Sequence, residues 1–306
     1  MRFVILGAGG VGGYFGAKLA RAGEDVTYLA RGAHLEAIRA RGLIVRSSIE
    51  GESVAKVSAV DDLKGQAPAD VVMLTVKASD TDAVLARARP VVGANTVVLP
   101  LQNGVGSPAA IERFYGAGRA LGGSAYVFAV IQEPGVIAHH FLGKITFGEL
   151  DGSRSPRAER LHAALSGAGV PTDLTTEIRR VMWEKYLLIC AQAGMTSLTR
   201  VPTRGLKAHE PTWAMYRAII DEVAAVGRAE GVVFARDVVD TIWAMAGGMN
   251  PEGRSSMAHD LATGKPLELE ALHGHVVRLG RQHGVPTPMK GAVYAALLPH
   301  ATGAFA

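Results

Sequence analysis

One cysteine, Cys190, stands in 306 residues, so neither an internal disulfide framework nor a cysteine-built metal site is available. Its apolar neighbours mark it as buried filler rather than a catalytic thiol, and a reducing, cytoplasmic setting is expected. Excess charge is scarce too. The 32 basic and 28 acidic residues leave +4, and no basic cluster stands out beyond Arg154–Arg160, so a nucleic-acid surface is not expected. Long unbroken hydrophobic runs are also missing. Residues 90–111 carry no charge, yet Pro90, Pro100, Pro108, Gln102 and Asn103 interrupt them, which excludes a membrane span. The opening "MRFVILGAGGVGGYFGAKLA" imitates a signal peptide, but six glycines between positions 7 and 16 would weaken such a helix. His139-His140, His273 and His275 lack the spacing that metal ligands on one helix face need, and no metal is expected.

What is present is an alternation. The first half switches between short β-rich runs and helical patterns, the mark of a parallel α/β sheet. Strands are expected at Arg2–Leu6, Asp25–Leu29, Asp70–Thr75, Thr96–Leu101 and Leu121–Val130. "GLIVRSSIEGESVAKVSAV" reads as a hairpin turning at Glu50–Gly51, and "GVIAHHFLGKITFGEL" as a second one turning at Leu142–Gly143. Both are expected as insertions or edge pieces of the main sheet. From about Thr175 the period becomes helical, over roughly 176–195, 210–230, 235–247, 255–263, 267–283 and 287–299. The expected architecture is α/β: a Rossmann-type doubly wound sheet over 1–174, then an all-α domain over 175–306, with the boundary near 169–173.

Gly7-Ala8-Gly9-Gly10-Val11-Gly12 follows the first strand and opens a helix, which turns a weak G-x-G-x-x-G match into a strong dinucleotide fingerprint. Gly7 suits the tight turn, Gly9 the approach of a pyrophosphate, and Gly12 the packing of helix on strand. After the second strand, "DVTYLARGAH" has no acid for a ribose 2′-hydroxyl and places Arg31 there instead. A guanidinium pairs bidentately with a 2′-phosphate, so NADP is favoured over NAD, with a solvated loop arginine as the alternative. Lys77 and Asn103 end two further strands, where ligands meet such sheets.

Lys185 is the anomaly of the second half, lying among Trp183, Leu187, Leu188, Ile189, Cys190 and Ala191. One reading is a stem that covers apolar surface and snorkels its head to water. The other is chemical: partial burial lowers an ammonium toward working pH, as a general acid requires. A carboxylate partner would come from "GKPLELEALHGHVVRLG", where Glu268 or Glu270 faces inward.

Five segments, "GAGGVGG", "TVKA", "LQNGVG", "WEKYLL" and "SSMAHDLATGKPLELEALHGHVVRLGRQHGVPTP", give the chain a resemblance to the ketopantoate reductase (2-dehydropantoate 2-reductase) family over nearly its whole length. The resemblance implies NADPH-dependent reduction of a 2-oxo acid to a 2-hydroxy acid. It implies Lys185 as general acid and Glu268 as the acid that engages the substrate hydroxyl. It further implies Ser256 near the substrate carboxylate, Asn103 and Lys77 on the cofactor side, and a backbone contact at Val127; the sequence leaves the oligomeric state open, with a homodimer as the candidate assembly. Members that make pantoate resemble W-x-K-x-x-x-N-x-x-x-N, but here Ile189 and Ala193 replace the asparagines, and Thr203 stands at a third polar position. A more apolar 2-oxo acid is therefore expected. The alternatives are a 3-hydroxyacid or polyol-phosphate dehydrogenase of the same plan and a non-catalytic NADP sensor.

Overall fold

A computed structural model describes residues 1–303. The chain divides into two compact units, one of Met1–Gln102 with Ser107–Ile178, the other of Asn103–Gly106 with the chain from Arg179 onward. The passage falls at 178 rather than 174, and four residues after Gln102 belong with the helical unit.

In the first unit the strands are β1 (Arg2–Leu6), β2 (Asp25–Leu29), β3 (Leu43–Ser47), β4 (Gly51–Ala55), β5 (Ser58–Val60), β6 (Val71–Leu74), β7 (Val97–Pro100), β8 (Gly122–Glu133), β9 (Val136–Gly148) and β10 (Thr172–Leu174). Five of them form a parallel sheet in the order β5-β2-β1-β6-β7. The chain runs outward from β1 to β5 and then returns to β6 on β1's other side. The loops after β1 and β6 therefore diverge at a topological switch point, where such sheets bind ligands. Apolar residues fill both faces of β1, β6 and β7, since helices cover each face.

The remaining strands make a second sheet, not the edge of the first. β9 pairs antiparallel with β8 on one side and parallel with β3 and β10 on the other, and β4 flanks β3. Two expectations are corrected here. Residues 58–60 leave the first hairpin and become the edge of the parallel sheet. The turn expected at Leu142–Gly143 does not exist: β9 runs on through it, and the hairpin turns at Pro134–Gly135 instead. Leu142 and Gly143 are a β-bulge with φ of 53° and 125°, and the ladder shifts register there. Buried His139 bonds the Leu142 carbonyl through Nε2 at 2.8 Å, and Ser47 Oγ meets its Nδ1 at 2.8 Å. A bulge and a turn carry the same residue signature, and only the pairing separates them.

The helix Gly10–Arg21 lies between the two sheets. A Cβ at Gly12 would strike Gly7 and Ile5, and one at Gly10 or Gly13 would strike Ala129 of β8 or Ile137 of β9. Gly16 makes room for Tyr28 of β2, whose hydroxyl donates to the Gly13 carbonyl at 3.2 Å.

The second unit is helical: Ile178–Thr199, Thr203–Lys207, Glu210–Ala229, Val238–Gly247, Ser256–Ala262, His275–His283 and Pro288–Leu297. Its core joins Trp183, Tyr186, Leu187, Cys190, Tyr216, Ile220, Leu272 and Val276. The single helix expected over 267–283 is interrupted, because Glu270–Gly274 forms a π-helical turn before the α-helix resumes at His275. Among the described residues, no helix is long and apolar enough to cross a membrane.

Candidate active site

In the first unit the glycine loop is held from both flanks. Gly7 adopts φ of 108°, and its carbonyl accepts from Thr75 Oγ1 at 2.8 Å. The buried Ala8 offers its carbonyl to His34 Nε2 at 2.8 Å, while Gly135 N donates to His34 Nδ1 at 3.0 Å. His34 is therefore neutral with its proton on Nε2, and burial lowers its pKa in agreement. His34 escaped sequence reasoning; its only signal was its place three residues after Arg31.

Gly9 caps the helix Gly10–Arg21 and faces open space, since a Cβ there would meet nothing within 4 Å. The first turn holds no acid and no side-chain cap, and Val11 beside it is half-buried. Free N–H groups and the positive end of the helix dipole are thus unneutralised by the chain itself, which fits a pyrophosphate. Exposed Arg31 follows β2 and caps the next helix through its backbone. Lys77 is exposed just after β6. Gln102 locks the loops after β6 and β7 together: its Nε2 donates to Val76 O at 2.8 Å and Thr81 Oγ1 at 2.9 Å, and its Oε1 accepts from Ser107 Oγ at 2.7 Å. Val127 sits in β8 opposite Leu142, at the bulge.

In the second unit Lys185 lies on Ile178–Thr199 beside buried Met182, Trp183, Tyr186 and Leu187. Part of the residue's surface remains accessible, but its ammonium is desolvated and its pKa falls to about 8. The Glu268 carboxylate opposes that fall by favouring the charged form. Of the two candidate acids, Glu268 is the one turned inward, flanked by buried Leu267 and Leu269. Glu270 is exposed and paired with Arg278 and the Tyr294 hydroxyl. Glu184 is bonded one turn back to Arg180 at 2.9 Å.

Asn103–Gly106 packs with this unit, and Gly104, at φ of 100°, lies against Ala271 of the π-turn. Ser256 is exposed at the first position of its helix, whose cap is the neighbouring Ser255. Ser255 Oγ accepts from Ala258 N at 3.0 Å and meets Thr196 Oγ1 at 2.9 Å, tying this helix to the one that carries Lys185. Thus Lys185, Glu268, Asn103 and Ser256 share one unit, and Gly7–Gly12, Arg31, Lys77 and Val127 share the other.

Two family models cover both parts of the chain: ketopantoate reductase PanE/ApbA matches residues 3–152, and ketopantoate reductase PanE/ApbA C terminal matches residues 177–300. The chain belongs to this family. As a ketopantoate reductase family member it is an oxidoreductase of CH–OH groups and takes a nicotinamide cofactor. It is 34% identical to a 2-dehydropantoate 2-reductase of Mesorhizobium japonicum, with 96% of each chain covered. It is 30% identical to the uncharacterized oxidoreductase YkpB of Bacillus subtilis, covering 97% of this chain and 98% of the relative. The crystal structure of a PanE/ApbA family ketopantoate reductase from Ralstonia eutropha JMP134 matches with a TM-score of 0.90 at 34% identity over 98% of each chain. The alternative of a 3-hydroxyacid or polyol-phosphate dehydrogenase gives way to that family.

Within this family member, the polar residues near Ile189 and Ala193 are already engaged. Gln192 donates to Thr203 Oγ1 at 3.0 Å and accepts from the Tyr216 hydroxyl at 3.1 Å, and Thr203 donates to Gly253 O at 3.1 Å. Gln192 and Thr203 are both buried, so neither replaces the asparagines absent at 189 and 193.

The depressed pKa of Lys185 has a stability consequence. Below pH 8 the folded and unfolded chains both carry the proton, and the fold bears the full desolvation penalty. Lowering from 10.5 to about 8 corresponds to a penalty on the order of 3 kcal/mol, relieved as pH rises from 8 to 10.5. Lys185→Met is expected to raise Tm at pH 7, with the gain over wild type shrinking toward pH 10 in thermal melts.

Proposed function

We propose that this enzyme reduces a 2-oxo acid to the corresponding 2-hydroxy acid with NADPH, and that its substrate carries a more apolar side chain than ketopantoate. The observation that carries this reading is the desolvated Lys185 with Glu268 acting on it. At neutral pH the ammonium is mostly protonated yet near enough to its midpoint to release the proton readily, which suits a general acid.

NADPH, when bound, supplies the hydride. Lys185 donates its proton to the carbonyl oxygen as negative charge develops there. Glu268 keeps Lys185 charged before that transfer and accepts a hydrogen bond from the new hydroxyl. Ser256 offers its hydroxyl to the substrate carboxylate, and Asn103 hydrogen-bonds substrate and cofactor through its amide. On the cofactor side, Gly7–Gly12 would seat the pyrophosphate, Arg31 would pair with the 2′-phosphate, and Lys77 and the Val127 backbone would supply further contacts to the cofactor. The substrate preference rests on Ile189 and Ala193, since a pocket without amides loses little when a hydroxyl is missing and gains apolar contact.

Four measurements test the reading. Turnover in the reductive direction should be level below pH 8 and fall about tenfold per unit above it, as the amine loses its proton. Glu268→Gln should move that falling limb to lower pH, because the charge that raises Lys185 is gone. Arg31→Ala should raise KM for NADPH by about 10- to 100-fold, the worth of a charge-assisted pair, and leave KM for NADH unchanged. Among 2-oxo acids, kcat/KM should be higher for bulky apolar side chains than for ketopantoate; a preference for ketopantoate by orders of magnitude would refute the substrate assignment.

A further inference from the structure

Lys290 is fully buried, yet nothing in the proposed reaction uses it. It lies on Pro288–Leu297, whose N-terminus is capped by Glu222: the carboxylate accepts from Met289 N at 2.7 Å and Lys290 N at 2.8 Å. Its ammonium points into the π-turn, with Nζ 2.7 Å from Leu272 O and 2.8 Å from His273 Nδ1. Two more side chains grip the same turn from the helix that carries Lys185. The Tyr186 hydroxyl donates to Ala271 O at 2.6 Å, and Cys190 Sγ meets Leu272 O at 3.0 Å. His273 fits against Gly194 of that helix, where a Cβ would collide with the ring. The turn is joined to the backbone of Glu268, whose main-chain carbonyl accepts from Leu272 N at 3.1 Å.

A π-turn is a single-turn insertion in an α-helix, so converting it to regular α-helix would change the phase of the segment around it. Side-chain donors on its carbonyls oppose that conversion. Resting on the reading of Glu268 and Lys185 given above, we infer that Lys290 is a positioning residue: by holding the Leu272 carbonyl it keeps the turn at 270–274 in place, and with it the Glu268 carboxylate beside Lys185. An amine this deep stands where an apolar residue of the same length would fill the space, which is the pattern expected of a polar contact kept for geometry rather than stability.

The test is Lys290→Met in the full chain, with Leu297→Ala, a cavity in the same helix, as the control for lost stability. Two quantities are read: kcat, and the titration midpoint of Lys185 followed by NMR with lysine labelled with carbon-13 at Cε. Removing a nearby cation would by itself raise the Lys185 midpoint, whereas displacing Glu268 lowers it. The expected result for Lys290→Met is a midpoint lowered by roughly half a unit and kcat reduced about 10- to 100-fold, with KM for the cofactor unchanged. Leu297→Ala should lower Tm and shift neither quantity. If Lys290→Met does not fold, Tyr186→Phe withdraws another donor from the same turn and should move the midpoint the same way. A midpoint that stays or rises overturns the inference. A wild-type enzyme that turns over no 2-oxo acid would refute the proposed reaction, yet the Lys185 midpoint would still decide the role of Lys290.

Discussion

Side chains are excluded along one helix, and the glycine loop that opens it depends on that exclusion. Gly10–Arg21 sits between a parallel and a mixed sheet, and its glycines are the places where backbone meets neighbour without a Cβ between them. Close approach brings the helix N-terminus to the end of β1, where the turn at Gly7 is held by Thr75 and Ala8 by His34. The same helix therefore closes the core and begins without a side-chain cap or an acid in its first turn, as the proposed cofactor site requires. Neither task permits larger residues, so the loop has more glycines than a phosphate site alone requires.

The helical unit solves a different problem, that of keeping an ammonium poorly solvated without expelling it. Apolar neighbours lower the affinity of Lys185 for its proton, and Glu268 restores part of it. The balance depends on where that carboxylate stands, which makes the backbone just after it matter. A π-turn follows immediately, and Tyr186, Cys190 and Lys290 all address its carbonyls. Desolvating Lys185 weakens the fold and suits the general-acid role proposed for it, a trade that is common where a site must be preorganised.

The polar residues around Ile189 and Ala193 sharpen the substrate question. An amide such as Gln192 resembles a substitute for the absent asparagines when only the sequence is read. In the fold it is spent on Tyr216 and Thr203, deep in the core. Gln192 therefore belongs to the core and does not stand in for the absent asparagines.

Hydrophobic period and glycine spacing determined much of this protein in the sequence alone: parallel strands for the first half, helices for the second, the dinucleotide loop, and the oddity of Lys185. Those features are local, because the residues that create them are neighbours in the chain or one helical turn apart. Pairing was decided only by the tertiary structure. Leu142–Gly143 has the residues of a turn but becomes a bulge because β8 supplies a partner on either side of it. Residues 58–60 join the parallel sheet because β2 has a free edge for them. Glu268 acts on Lys185 while Glu270 pairs with Arg278 and Tyr294, and the π-turn that follows has side-chain donors from distant helices on its carbonyls. Register, bulges and helix phase depend on contacts between segments far apart along the chain, and no local pattern encodes them.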